Sequence, residues 1–204
     1  LLTMMAIWMR EGIVVPLNPK FPPKQKEELL RKVKCGVTLS ENYTHTNSKS
    51  KITREMPLLN PDAWSTIIFT SGSSGFPKAV IHTLANHFFS ALGANRIMPL
   101  KPGDRWFMSL PLFHVGGIAI FFRSLLSGSS IVIPAKNKSL IQNIEKNQIT
   151  HLSLVPTQLQ RLLKTGKGRN SLHKLKLILL GGSAIPESLM EHSSKLGLKL
   201  RTTY

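Results

Sequence analysis

From Ala63 onward, short apolar runs alternate with helix-patterned segments, and this rhythm is what most narrows the possible fold. The runs are "STIIFT" (65–70), "RWFMSLP" (105–111), "SSIVIP" (129–134), "THLSLVP" (150–156) and "LKLILLGG" (175–182), and "LKLRTTY" (198–204) begins another. Short runs dominated by apolar residues read as strands buried on both faces. Between them lie "LANHFFSALGANRI", "GGIAIFFRSLLSG", "SLIQNIEKNQ", "TQLQRLLKTG" and "PESLMEHSSKLG", each patterned as a helix. Ser139 suits the N-cap of the third. Pro186 falls in the first turn of the last and Gly197 at its C-terminal side. Strand and helix alternate five times, which predicts an α/β fold of mostly parallel strands with helices on both faces.

Composition agrees with a packed fold: 42% of the 204 residues are hydrophobic. That is enough for one large domain or two small ones. Residues 42–62, "NYTHTNSKSKITREMPLLNPD", are poor in apolar residues and read as a long loop or linker. No stretch approaches the ~18 unbroken apolar residues of a membrane span, and the N-terminal "LLTMMAIWMREG" is broken by Arg10 and Glu11. The single cysteine, Cys35, excludes an internal disulfide framework and fits a cytoplasmic, reducing setting. With 27 Lys and Arg against 10 Asp and Glu, the formal charge is +17. One reading of that excess is nucleic-acid binding. The basic residues are spread along the chain, however, with no zinc-finger spacing or RNA-recognition aromatic motif. Net charge of this kind gives non-specific attraction rather than a specific nucleic-acid site. Only two aspartates occur, Asp62 and Asp104, which is poor material for a carboxylate metal cluster.

In open parallel sheets, ligands bind beyond the carboxyl ends of the strands. Three polar or Gly-rich stretches follow strands here: "TSGSSG", "LFHVGG" and "GGSA". The first opens "TSGSSGFPK" (70–78). It is not a Walker A loop, which needs G-x-x-x-x-G-K-[ST], because Gly72 and Gly75 are too close and Lys78 follows Pro77. A flexible linker is one reading. The other is a phosphate loop: small residues let backbone N–H groups approach phosphate oxygens. Thr70, Ser71, Ser73 and Ser74 add hydroxyls, and Lys78 adds a point charge suited to a polyphosphate. An apolar strand running straight into the loop favours the second.

The longer stretch "FTSGSSGFPKAVIHT" resembles the phosphate-loop signature of the adenylate-forming superfamily of acyl-CoA ligases, luciferases and peptide-synthetase adenylation domains. The family pattern is [YF]-T-S-G-[ST]-[ST]-G-x-P-K-G, and this chain departs from it only in Ala79. "GIVVPLNPKFPP" resembles the family segment in which a helix runs into a "VPLNP" strand. "SLPLFHVGG" resembles its next core motif, "LILLGGSAIPESL" its adenine-binding region, and "TTY" the start of "YGxTE". Within the family, "SGFPKAVIHT", "SLPLFHVGGIAIFFRSLLSGSSIVI" and "HLSLVPTQLQRLL" are most similar to the o-succinylbenzoate–CoA ligase group of menaquinone synthesis.

The resemblance implies a two-step reaction with ATP, Mg2+ and coenzyme A, in which an acyl-adenylate gives way to a thioester. It also implies roles for particular residues. Thr70, Ser71, Gly72, Ser73, Ser74, Gly75 and Lys78 would hold the β- and γ-phosphates. Gly181, Gly182 and Ser183 would line the adenine and acyl pocket, and Tyr204 would stack on adenine. His114 would act near the acyl carboxylate, although a lone histidine also reads as a satisfied, partly buried ring. Arg123 reads either as a snorkelling surface arginine or as a guanidinium fork for the non-reacting aromatic carboxylate of o-succinylbenzoate.

The implied domain plan is residues 1–60 as the remainder of a first α/β subdomain and linker, and 61–204 as a nucleotide-binding subdomain of the large N-terminal domain. The "GxTE" glutamate that helps hold magnesium, the ribose-binding aspartate and the small mobile C-terminal domain would then lie outside this chain. On that plan the 204 residues alone are expected to be inactive, with an exposed sheet edge open to self-association. A general acyl- or aryl-CoA ligase and a non-catalytic nucleotide-binding remnant are the alternatives.

Overall fold

A computed structural model describes residues 1–39, 58–70, 77–135 and 137–203. The chain forms two compact units, Leu1–Asn86 and His87–Tyr204.

The first unit contains α1 (Leu2–Trp8), α2 (Pro23–Lys32) and a hairpin of β1 (Trp64–Thr70) and β2 (Lys78–Thr83). Pro at the start of α2 is preset for the first turn, and Leu29 of that helix is fully buried. β1 buries Ser65, Thr66, Ile67 and Ile68 in succession, and the Trp8 indole donates to the Ser65 carbonyl at 2.8 Å. The strand "STIIFT", expected in the parallel sheet, instead pairs antiparallel with "KAVIHT" in a two-stranded sheet. β2 is largely exposed or half-buried, so it presents no continuous apolar run to a sequence reading. The expected "VPLNP" strand is reduced to one parallel bridge between Val14 and Thr66. Pro16 and Pro19 remove the backbone donors that a longer ladder would need. The compact units divide at Asn86/His87, because this hairpin pairs with the Val14 segment and Trp8 upstream.

The first unit ends within α3 (Leu84–Ile97). The second contains β3 (Arg105–Phe107), α4 (Val115–Ser127), β4 (Ser130–Val132), α5 (Leu140–Lys146), β5 (His151–Leu154), α6 (Pro156–Leu163), α7 (Gly166–His173), β6 (Leu177–Leu180), α8 (Glu187–Lys195) and β7 (Leu200–Thr202). Its five strands form one sheet in the order β4-β3-β5-β6-β7, and every pair is parallel. Period-2 alternation splits the strand side chains between two faces. Phe107, Leu152, Leu154, Ile178 and Leu180 join a core with Ile144 of α5, Leu159 of α6, Leu172 of α7 and Leu189 of α8. Trp106, His151 and Ser153 belong to the opposite side, where Arg123 of α4 lies against Trp106. The parallel sheet is thus flanked by helices on both faces, as expected.

Ser139 caps α5: its hydroxyl accepts from Gln142 N at 3.2 Å and its N–H donates to the Gln142 side chain at 2.8 Å. The helix expected over "TQLQRLLKTG" is α6, which ends at Leu163, and a further helix that was not expected, α7, follows it. Thr165 is the N-cap of α7, its hydroxyl accepting from Gly168 N at 3.0 Å. At Gly168 a Cβ would lie 2.0 Å from the Leu162 carbonyl oxygen, so this close turn requires glycine. At the amino ends of the strands, Lys176 and the buried Asp104 form a 2.7 Å salt bridge.

Candidate nucleotide and acid site

In the first unit, the candidate residues stand at the mouth of the hairpin. Thr70 ends β1, Lys78 begins β2, and the two are register partners. The Thr70 hydroxyl donates to the Lys78 carbonyl at 3.5 Å. Both residues are exposed, and Lys32 Nζ donates to the Pro77 carbonyl beside them at 3.2 Å. Ser71, Gly72, Ser73, Ser74 and Gly75 lie outside the described residues, as does Tyr204. The motif is therefore the connection of an antiparallel hairpin, with its lysine on the outgoing strand.

In the second unit, parallel pairing brings all five carboxyl ends to one edge. The strand order reverses between β3 and β5, because β3 leads to β4 on one side and the chain then returns to β5 on the other. Such a switch point opens a crevice for ligands. Ser109–His114 follow β3, Val155 follows β5, Gly181–Ser183 follow β6 and Thr203 follows β7. Gly181 is pressed against this last segment: a Cβ there would lie 2.4 Å from Thr203 Cγ2 and 2.7 Å from its carbonyl oxygen. Gly182 adopts φ +84°, a left-handed conformation that favours glycine. Gly182 and Ser183 are exposed.

His114 is exposed at the N-cap of α4. Its carbonyl accepts from Gly117 N at 3.0 Å and Ile118 N at 3.4 Å, while its side chain makes no capping bond. The ring tilts against Phe113, with centroids 4.6 Å apart. It stands where the helix dipole and the first N–H groups favour an anion.

Arg123 lies further along α4. Its guanidinium carbon is 5.6 Å from the Trp106 ring centroid, and its Nε is buried without a hydrogen-bond partner. Burial pulls its pKa below the ordinary arginine value. Among the described residues the only salt bridge is Lys176–Asp104, so no carboxylate pairs with Arg123. The geometry is a cation packed on an aromatic face rather than a side chain extended into water.

Sequence reasoning missed the support beneath this cation. Trp106 donates through its indole N–H to Ser153 Oγ at 3.1 Å, and the Ser109 hydroxyl donates to the Ser153 carbonyl. The available signal was a serine within each of "RWFMSLP" and "THLSLVP". Among the described residues, no group of three His, Cys, Asp or Glu could hold a metal. Asp104 is engaged by Lys176, and Asp62 sits in an exposed turn.

Residues 40–204 match the family described as AMP-binding enzyme. The chain belongs to this family. Among its relatives is the 2-succinylbenzoate–CoA ligase of Salmonella typhimurium, 34% identical over 98% of this chain and 44% of the relative. Two solved structures of Bacillus subtilis o-succinylbenzoate CoA synthetase (MenE) are similar. One, in complex with the acyl-adenylate intermediate OSB-AMP, is 26% identical, covers 97% of this chain and 44% of that chain, and has a TM-score of 0.80. The other, in complex with ATP and magnesium ion, is 26% identical, covers 97% and 45%, and has a TM-score of 0.80. This AMP-binding family member therefore spans less than half the length of each of these three proteins.

Proposed function

We propose that the protein is an ATP-dependent acid–thiol ligase that converts o-succinylbenzoate, ATP and coenzyme A to o-succinylbenzoyl-CoA, AMP and pyrophosphate, a cytoplasmic step of menaquinone synthesis. The carrying observation is the signature "FTSGSSGFPKAVIHT" strung across the β1–β2 hairpin, with Thr70 opposite Lys78 at its mouth. In the first half-reaction a carboxylate oxygen attacks the α-phosphorus and pyrophosphate leaves. In the second the coenzyme A thiol attacks the acyl carbon and AMP leaves. Both need anions held together and developing phosphate charge offset. Lys78 and the loop N–H groups and hydroxyls serve the leaving phosphates. Gly181, Gly182 and Ser183 line the nucleotide and acyl side, Tyr204 has the adenine-stacking role that the motif implies, and His114 hydrogen-bonds the reacting carboxylate. Magnesium would be brought by ATP itself, since among the described residues no group of three His, Cys, Asp or Glu could hold it. The substrate reading rests on Arg123, a half-buried cation on Trp106 with no carboxylate partner among the described residues. It suits the second, aromatic carboxylate of the acid. Among the described residues no helix is long and apolar enough to cross a membrane, and Cys35 is a free thiol.

The test is pyrophosphate release by the protein expressed from its whole reading frame, with ATP, magnesium and o-succinylbenzoate, and detection of the thioester by mass after coenzyme A is added. Preference for a medium-chain fatty acid would move the assignment to a general acyl-CoA ligase. ATP binding without pyrophosphate release for any acid would identify a non-catalytic remnant.

A further inference from the structure

We infer that Asn95 of α3 is a positioning residue for Arg123, and that it sets the preference for an acid with a second carboxylate. The inference rests on the substrate reading above. Asn95 Nδ2 donates to the backbone carbonyl of Arg123 at 3.1 Å, so α3 is fastened to α4 at the residue that carries the buried cation. Only the NH2 end of an amide can face a carbonyl oxygen, which fixes the amide orientation and turns Oδ1 away. That Oδ1 is buried and accepts no hydrogen bond, and Arg123 Nε is buried and donates none. Two residues already joined by one bond thus hold a spare acceptor and a spare donor. Buried polar groups are rarely left unpaired without a reason.

Trp106 supports the guanidinium from its face, which leaves its edges for hydrogen bonding. A carboxylate taken by the terminal nitrogens turns the planar guanidinium over the indole, and Asn95 Oδ1 then receives the Nε proton. The bound arrangement completes both orphaned groups. α3 and α4 are also packed together by the stack of His87 on Phe122, with ring centroids 4.9 Å apart. This second contact holds the two helices together when the Asn95 amide is changed.

The experiment compares KM for o-succinylbenzoate with KM for benzoylpropanoate, which lacks the aromatic carboxylate, in the whole-frame protein and in Asn95→Ala and Asn95→Asp. A ratio of two KM values in one preparation does not depend on the fraction folded, so partial unfolding cannot mimic the effect. The expected result is a rise of about tenfold in KM for o-succinylbenzoate alone, with kcat and the benzoylpropanoate KM little changed. Asn95→Asp, which places a carboxylate where the spare acceptor lies, is expected to lose the preference at least as fully. Equal change for both acids, or no change for either, overturns the role of Asn95 while the substrate reading stands. Failure of the parent protein to use o-succinylbenzoate overturns that reading and the inference with it.

Discussion

The guanidinium of Arg123 lies over the indole of Trp106, with 5.6 Å between the guanidinium carbon and the ring centroid. Trp106 is fully buried and is itself tied to Ser153 across the sheet. The platform is fixed, so the guanidinium can turn over it while the ligand comes to it. Arg123→Ala is expected to raise KM for o-succinylbenzoate more than for benzoylpropanoate. The differential is one charge-assisted hydrogen bond, about 1.5–3 kcal/mol, or on the order of tenfold to a hundredfold. Steady-state kinetics with both acids check it, and equal damage to both would assign Arg123 a packing role.

Lys78 faces Thr70 across the last rung of the hairpin, and its exposed side chain is available to a polyphosphate. Lys78→Ala removes one positive charge there and is expected to lower kcat/KM for ATP by at least about tenfold, about 1.4 kcal/mol. The hairpin should be little affected, because Lys78 contributes to it through its backbone. ATP kinetics alongside a thermal unfolding curve separate the two effects. Unchanged kinetics in the folded variant would remove Lys78 from the site.

The parallel sheet was legible because its strands are apolar enough to be seen one at a time: "HLSL" is buried at all four positions, and "LILL" at three of four. The antiparallel partner of "STIIFT" was not. Val80 and Ile81 of β2 are exposed, and its residues read as the tail of a motif rather than as a strand. The helix after Thr165 escaped for a related reason. α7, "GKGRNSLH", has two glycines in its first turn and poor propensity, and its cap and close packing sustain it. At the site, strand ends and Gly-rich loops announced themselves. The environment of Arg123 did not, because Asn95, Trp106 and Ser153 lie on three elements that only tertiary packing brings together.

His151 gives the second unit a predictable response to acid. Burial pulls its imidazole below the ordinary 6.5; the Asp104 carboxylate opposes this and Lys176 adds to it. A histidine harder to protonate when folded leaves the unfolded chain binding more protons below 6.5. Stability is therefore complete above that pH and falls as pH drops through the window down to the lowered value. His151→Phe keeps a ring beside Trp106 and removes the titration. Urea midpoints measured at several pH values in that window should fall less steeply in the variant. Some slope remains from His82, which burial also lowers against the opposing Val80 backbone bond. An unchanged slope would show that His151 is not responsible.

Gly117 tests how tightly the end of β3 is bound to the start of α4. In an unconstrained helix, alanine is preferred to glycine by about 1 kcal/mol. Here a Cβ would lie 2.2 Å from the Pro111 carbonyl oxygen and 2.8 Å from that of Leu110, and backbone cannot move aside as a side chain can. The clash outweighs the propensity gain, so Gly117→Ala is expected to destabilise by about 1–3 kcal/mol. It should also displace the turn that carries His114, whose N–H donates to the same Pro111 carbonyl at 3.1 Å. A fall in kcat for acid activation should therefore accompany the loss of stability. Gly93, in α3, is the control: nothing lies within 4 Å of its Cβ position. Gly93→Ala should stabilise by about 0.5–1 kcal/mol and leave kcat unchanged. Denaturant midpoints and kcat for the two variants decide it. A Gly117→Ala protein as stable as Gly93→Ala would mean that the turn yields freely and does not hold His114 in place.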